Sequence, residues 1–257
     1  MKTDSFSKTA LLFGRIFKMA VVNPRGLREV AGISLAVSEG LMDPSADVLP
    51  IPVVSLVDLL SGDGETAVNS QVWAFPSVRF SISLVEALTL GMLARKCQAT
   101  RIFEFGTHRG VSTTQLAANL PEQGKVFTLD LPRSDTRTHF EVDDSAENEV
   151  ANFPVKGDLI PESLRKKITF LEQDSAKFDP APYAESIDLI FVDAAHTREY
   201  VLNDSEKAWA MLKPGGILAW HDCRPQSPEV VKYLRACKYQ PRRIEGTTLA
   251  FAQKPKK

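Results

Sequence analysis

The stretch Glu104-Phe105-Gly106-Thr107-His108-Arg109-Gly110-Val111-Ser112 has the residue types of a ligand-binding turn. Glycine allows a tight turn and a close backbone approach. The helix start that follows offers unpaired N–H groups and a positive dipole end to an anion. The glycines do not follow the G-x-G-x-x-G spacing of dinucleotide sites, which argues against a dehydrogenase. A ligand with a carboxylate suits this looser turn better than one with a pyrophosphate. Further on, Asp130 and Asp174 each close a β-rich run. An acid at the first place accepts hydrogen bonds from ribose hydroxyls, and one at the second can meet an adenine amino group. Turn and acids, in this order, point to an adenosine-containing ligand. Asp193 with His196, and His221 with Asp222, follow the next two runs. Histidine, with an ordinary pKa of about 6.5, is suited to taking a proton from a reacting hydroxyl. The bland alternative for each is a structural histidine on a backbone carbonyl. His108 in the turn and His139 are read that way.

These residues need a scaffold that brings strand ends together. From residue 81 on, short apolar runs alternate with helical patterns. Strands are expected at Arg101–Phe105, Lys125–Leu131, Ile168–Glu172, Ile187–Val192 and Ile217–Trp220. Helices are expected at 83–94, Val111–Leu120 and Thr197–Leu212, the last ended by Lys213-Pro214-Gly215-Gly216, and another from Ser227-Pro228 with Ser227 as N-cap. A final strand pair over 242–253 turns at Glu245-Gly246. Such alternation predicts an α/β fold, a doubly wound, mostly parallel, seven-stranded sheet covered on both faces. Ligands bind such sheets at the carboxyl ends of the strands, where the strand order reverses. Every candidate residue above lies at such an end.

Residues 1–75 read as a helical appendage broken at Pro24-Arg25-Gly26, Asp43-Pro44 and Pro50-Ile51-Pro52, and residues 76–257 as the ligand-binding domain. The run from Val53 to Leu60 is too short for periodicity to separate strand from helix. With 257 residues and a net charge of −1, the chain has length for one large domain and no broad basic face for nucleic acid. Cys97, Cys223 and Cys237 show no paired spacing, as expected of reduced thiols in the cytoplasm. The apolar stretch from Ala10 to Val22 contains Arg15 and Lys18 and is too short to span a membrane. A helix packed on its own domain or on a second copy of the chain is the reading there.

Phe103-Glu104-Phe105-Gly106-Thr107-His108-Arg109-Gly110-Val111-Ser112-Thr113 and Phe127-Thr128-Leu129-Asp130-Leu131 carry a family likeness. So do Asp188-Leu189-Ile190-Phe191-Val192-Asp193-Ala194-Ala195-His196, Tyr200, Asp204, Leu212-Lys213-Pro214-Gly215-Gly216 and His221-Asp222. As an ordered set over about residues 80 to 225 they resemble class I S-adenosylmethionine-dependent methyltransferases. The nearest group is methyltransferase family 24, related to catechol and caffeoyl-CoA O-methyltransferases. The resemblance implies that Glu104, Gly106, Thr107, Gly110 and Ser112 hold the methionine part of S-adenosylmethionine. Asp130 would hold the ribose, Asp174 would lie near the adenine, and Asp193 would border the cofactor. It further implies methyl transfer to a hydroxyl of a small metabolite, with His196 or His221 as base beside Asp193. Asp193 and Asp222 match two metal-ligand positions of the catechol-type enzymes, so Mg2+ or another divalent cation is an expected partner. The usual third ligand is Asn or Asp, where this chain has Cys223, a poor match for a hard cation.

Two other motifs are set aside. Asp179-Pro180-Ala181-Pro182-Tyr183 resembles the D-P-P-Y motif of amino-methyltransferases but precedes its strand instead of following it. Trp209 and Trp220 read as core packing. The acidic insert over 132–160 leaves the sheet at its ligand end and is expected to act as a lid. The competing functions are another transferase or hydroxylase-like member of the superfamily, and a non-catalytic adenosine-ligand-binding scaffold.

Overall fold

The computed structural model describes residues 49–60, 68–75, 78–132, 138–142 and 155–256. The stretch from Ala10 to Val22, and with it the expected packing or pairing there, lies outside the described residues, as does much of the insert. In chain order the elements are β1 (Val53–Val54), α1 (Leu56–Leu60), α2 (Leu84–Lys96), β2 (Arg101–Phe105), α3 (Val111–Ala118), β3 (Lys125–Asp130), α4 (Glu162–Arg165), β4 (Ile168–Glu172), β5 (Ile187–Val192), α5 (Arg198–Met211), β6 (Leu212–Trp220), α6 (Pro228–Ala236), β7 (Arg242–Ile244) and β8 (Ala250–Gln253). Among the described residues the sheet has eight strands, in the order β1-β7-β8-β6-β5-β2-β3-β4. All neighbours pair in parallel except β6 with β8 and β7 with β8. The doubly wound α/β reading holds, with one strand more than the seven expected. The extra strand is Val53–Val54, where two residues pair with β7 and α1 follows at once. A run that periodicity left undecided thus contains both kinds of element.

Side chains alternate across the sheet and fill two cores. Phe103, Phe105, Ile190, Val192, Leu218, Trp220, Ala250 and Ala252 face α5 and α6. Ile102, Leu189, Phe191, Ile217, Ala219 and Phe251 face α2 and α3, against Leu90, Leu93 and Leu116. This is the period-two alternation of a strand, buried on both sides because helices cover both.

The chain runs outward from β2 to β3 and β4, then returns to place β5 on the other side of β2. The strand order therefore reverses between β2 and β5, where a ligand crevice opens in this architecture. Gly106, just past β2, has φ of 95°, and a Cβ there would stand 2.2 Å from the carbonyl oxygen of Asp193, just past β5. Only glycine lets these two strand ends meet.

Two local expectations are corrected. Lys213-Pro214-Gly215-Gly216 does not separate a helix from a strand but lies inside β6. Leu212 pairs with Ile187 and Ile217 with Leu189, so the extra residues bulge out, with Gly215 at φ 81°. A bulge lets proline and glycine sit in a strand without a ladder bond. Ser227 occupies the N-cap position of α6 but makes no side-chain cap bond. Pro228, with its fixed φ, starts that helix instead.

Candidate active site

Glu104 lies wholly buried on β2, where the loss of water pushes its carboxyl up to about 7 against the hydroxyls that favour its charge. Thr113 and Thr128 both donate to Oε2, at 2.5 and 2.7 Å. Because Thr128 spends its proton on Glu104, Thr107 is the donor in the 2.6 Å contact between the two threonine hydroxyls. Oε1 is buried without a hydrogen-bond partner. A buried, unanswered carboxylate oxygen is costly, and a ligand ammonium group would satisfy it.

The turn after Glu104 is shaped by Asp130. Its Oδ2 accepts the backbone N–H groups of Thr107 and His108 at 3.0 and 2.8 Å, which holds His108 at a φ of 44°. Its Oδ1 accepts the N–H of Leu131 and faces the buried Lys156 ammonium at 3.1 Å. Gly110, at φ 82°, is the N-cap of α3 and gives it no side-chain cap. Orphan N–H groups thus remain at the start of that helix for an anionic ligand group. Ser112 sits in the first turn of α3 beside the Glu104 carboxyl.

At the neighbouring strand ends five further side chains meet. His221 Nδ1 is 3.0 Å from Asp193 Oδ1 and 3.4 Å from Asp222 Oδ2. His196 Nε2 is 2.6 Å from Asp222 Oδ2, and the guanidinium of Arg224 is 2.7 Å from Asp222 Oδ1. Asp222 is 3% exposed and adopts a left-handed backbone at φ 57°. Burial would raise its pKa, but His221 and His196 outweigh it and hold the carboxyl well below the usual range. Burial would lower the pKa of His221, but Asp193 and Asp222 outweigh it and hold the ring well above the ordinary histidine value. His196 is a third exposed, His221 about a tenth.

The expected residues thus fall into two groups joined at Gly106, the glutamate pocket and the histidine–aspartate cluster. Asp174 belongs to neither. It accepts the hydroxyl of Tyr200 at 3.0 Å and the backbone N–H of Ala176 and of His139, the last at 2.7 Å and from within the insert. Sequence reasoning missed Lys156, Arg224 and Glu86, whose Oε2 is 3.4 Å from His221 Nε2. Glu86 did carry a signal, the Ser-x-x-Glu spacing of a capping box, but that pattern speaks only of a helix start.

Asp193, His196 and Asp222 bring ligand atoms within 4.8 Å of one another. As a magnesium site the donor set does not fit. One of the three donors is nitrogen, Asp222 Oδ1 already faces the Arg224 guanidinium, and Asp222 Oδ2 and Asp193 Oδ1 already face imidazole nitrogens. Cys223, at the third-ligand position, has its thiol pushed up to about 12 by burial, so it stays protonated.

Residues 103–223 match the family model described as a methyltransferase domain, Methyltransf_24. No curated protein matches the sequence. Among solved structures, cofactor-bound Rv0187 from MTB superposes with a TM-score of 0.51 at 18% identity, over 70% of this chain and 84% of that one. The O-methyltransferase from Bacillus cereus in complex with SAH gives 0.46 at 19% identity, over 69% and 84%. A methyltransferase from Geobacter sulfurreducens gives 0.49 at 15% identity, over 68% and 81%.

Proposed function

We propose, from the match of residues 103–223 to a methyltransferase domain model, S-adenosylmethionine-dependent methyl transfer to a hydroxyl group of a small-molecule metabolite. The observation that carries this reading is the juxtaposition, across Gly106, of an unanswered buried carboxylate and a histidine–aspartate cluster. Glu104 Oε1 would take the ammonium end of the cofactor, and the N–H groups at the start of α3 its carboxylate. Asp130 fixes the turn between these two contacts and would present its remaining edge to the ribose. When bound, the cofactor supplies an electrophilic sulfonium methyl. The protein's part is to align the acceptor and remove its proton.

His196 is the group for that proton. It is the more exposed histidine of the cluster, and Asp222 Oδ2, 2.6 Å from its Nε2, favours the charge it would acquire. His221 is less suited, because both of its nitrogens already face carboxylates. The chain has free cysteines among its described residues, which suits the cytoplasm. No helix among those residues is long and apolar enough to cross a membrane. The divalent cation implied by the resemblance has no step in this reading.

The test is calorimetry with S-adenosylhomocysteine, followed by a labelled-methyl screen of hydroxylated acceptors. His196→Ala is expected to lower turnover by roughly 10²–10⁴-fold with cofactor affinity nearly unchanged. Wild-type turnover in that variant would remove His196 as the base. Absence of any S-adenosylhomocysteine binding would remove the methyl-transfer reading itself.

A further inference from the structure

Glu86 lies outside the span matched as a methyltransferase domain, in the first turn of α2, yet its carboxylate is 4% exposed and reaches the site. Its Oε2 accepts the backbone N–H of Ser83 at 2.7 Å. Its Oε1 accepts both the N–H and the hydroxyl of Thr248, each at 2.8 Å. Three donors therefore fix the carboxylate independently of any histidine. His221 Nε2 then lies 3.4 Å from Oε2, an ion-pair distance without hydrogen-bond geometry, while the opposite edge of the ring, at Nδ1, meets Asp193 at 3.0 Å and Asp222 at 3.4 Å. The ring also packs edge-on to Phe191.

We propose that Glu86 is a positioning residue of the active site: it holds the His221 ring so that Nδ1 lies against both Asp193 and Asp222, and the histidine fills the place a divalent cation would otherwise take. Two carboxylates at adjacent strand ends repel, and a buried pair needs a positive partner. A ring with carboxylates at both edges satisfies them best when both nitrogens carry protons. Glu86 itself is held below the usual carboxylate range: burial would raise it, but His221 together with the N–H groups of Ser83 and Thr248 outweighs burial. The residue that follows the pair fits the same picture. Cys223 donates its N–H to Thr248 at 2.8 Å, so the position that would supply a third oxygen ligand is tied to the threonine that Glu86 also holds. A catalytic base must have a nitrogen to offer, and this arrangement leaves His221 without one.

Only the kinetic part of the test rests on the methyl-transfer reading. Full-length wild type, Glu86→Gln and Thr248→Val are compared. Nitrogen NMR of the wild-type His221 ring at neutral pH is expected to show both nitrogens protonated, and in Glu86→Gln the Nε2 signal is expected to change. Turnover in Glu86→Gln is expected to fall about tenfold or more, with the KM for S-adenosylmethionine within about twofold of wild type. Thr248→Val, which removes one of the three donors that fix Glu86, is expected to change the Nε2 signal and turnover in the same direction as Glu86→Gln but by less. Wild-type protein purified without chelator is expected to hold no stoichiometric divalent metal. An unchanged ring signal and turnover in Glu86→Gln would reduce Glu86 to a helix cap and overturn the proposal. So would a bound equivalent of metal, or a neutral His221 in wild type. The last two measurements need neither a folded variant nor an acceptor, so they decide the proposal even where methyl transfer is never found.

Discussion

Glu104 illustrates what single residues reveal and what they hide. The acid at the end of β2 was legible as a cofactor residue through the family resemblance. Its pKa was not, because it depends on complete burial and on hydroxyls from two other elements, Thr113 and Thr128. That pKa has a consequence for stability. The carboxyl titrates from the ordinary 4.5 when unfolded to about 7 when folded. The folded state therefore binds more protons between these values, and its stability falls as pH rises through them. The contribution is fully present below 4.5 and lost above 7, a difference of about 3 kcal/mol. Urea titrations of the ligand-free protein across this window should show wild type losing about that much relative to Glu104→Gln. A constant difference between the two proteins would mean that Glu104 is ionised throughout. Asp130 was likewise legible as a site acid. That it also grips the N–H groups of Thr107 and His108 was not, since nothing in the sequence tells which way a turn will point its amides.

Elements were readable wherever a strand was short, apolar and flanked by turns. The strand limits at Arg101–Phe105, Ile168–Glu172 and Ile187–Val192 come out as expected. Reading failed where a tertiary contact overrode a local rule, as in β6, whose bulge swallows a Pro-Gly-Gly that locally spells an ending. It also failed where side chains stand in for backbone partners. Asn119 accepts the Gln71 N–H and donates to its carbonyl, both at 2.8 Å, and Gln115 does the same for Trp73 at 2.9 and 2.7 Å. Two amides on one helix thus hold an extended segment as a neighbouring strand would. Gly91 of α2 makes room for the seam, since a Cβ there would stand 2.2 Å from Ser70 Oγ. Each such bond is worth about 0.5–1.5 kcal/mol net, and released backbone here returns to water. Replacing both amides by alanine is expected to cost about 2–4 kcal/mol and to make residues 68–75 a new site of proteolytic cutting. Unaltered resistance to protease would show that the segment is held by other contacts.

At the scale of the whole molecule, the span matched as a methyltransferase domain is less than the unit that folds. The matched residues begin at Phe103, inside β2, and end at Cys223, before α6, β7 and β8. Without β8, the strand β6 would present Ile217, Leu218, Ala219 and Trp220 as an unpaired central edge. Without α2, the core on one face would lose Leu90 and Leu93, both fully buried, and without α6 the other would lose Val231 and Leu234. Each large aliphatic side chain removed from a core costs about 2–5 kcal/mol, and a whole domain is stable by only about 5–15 kcal/mol. A fragment of residues 103–223 is therefore expected to lack a cooperative thermal transition and to bind no S-adenosylhomocysteine, whereas the full chain does both. The missing pieces also bear on chemistry. Glu86 and Thr248 come from α2 and from the turn before β8, so the flanking elements that complete the sheet also supply the carboxylate that orients His221. Circular dichroism melts and calorimetry on the two proteins decide the matter. A fragment that melts cooperatively and retains the ligand would show that the flanks are additions to a self-sufficient core, and that the site needs nothing from them.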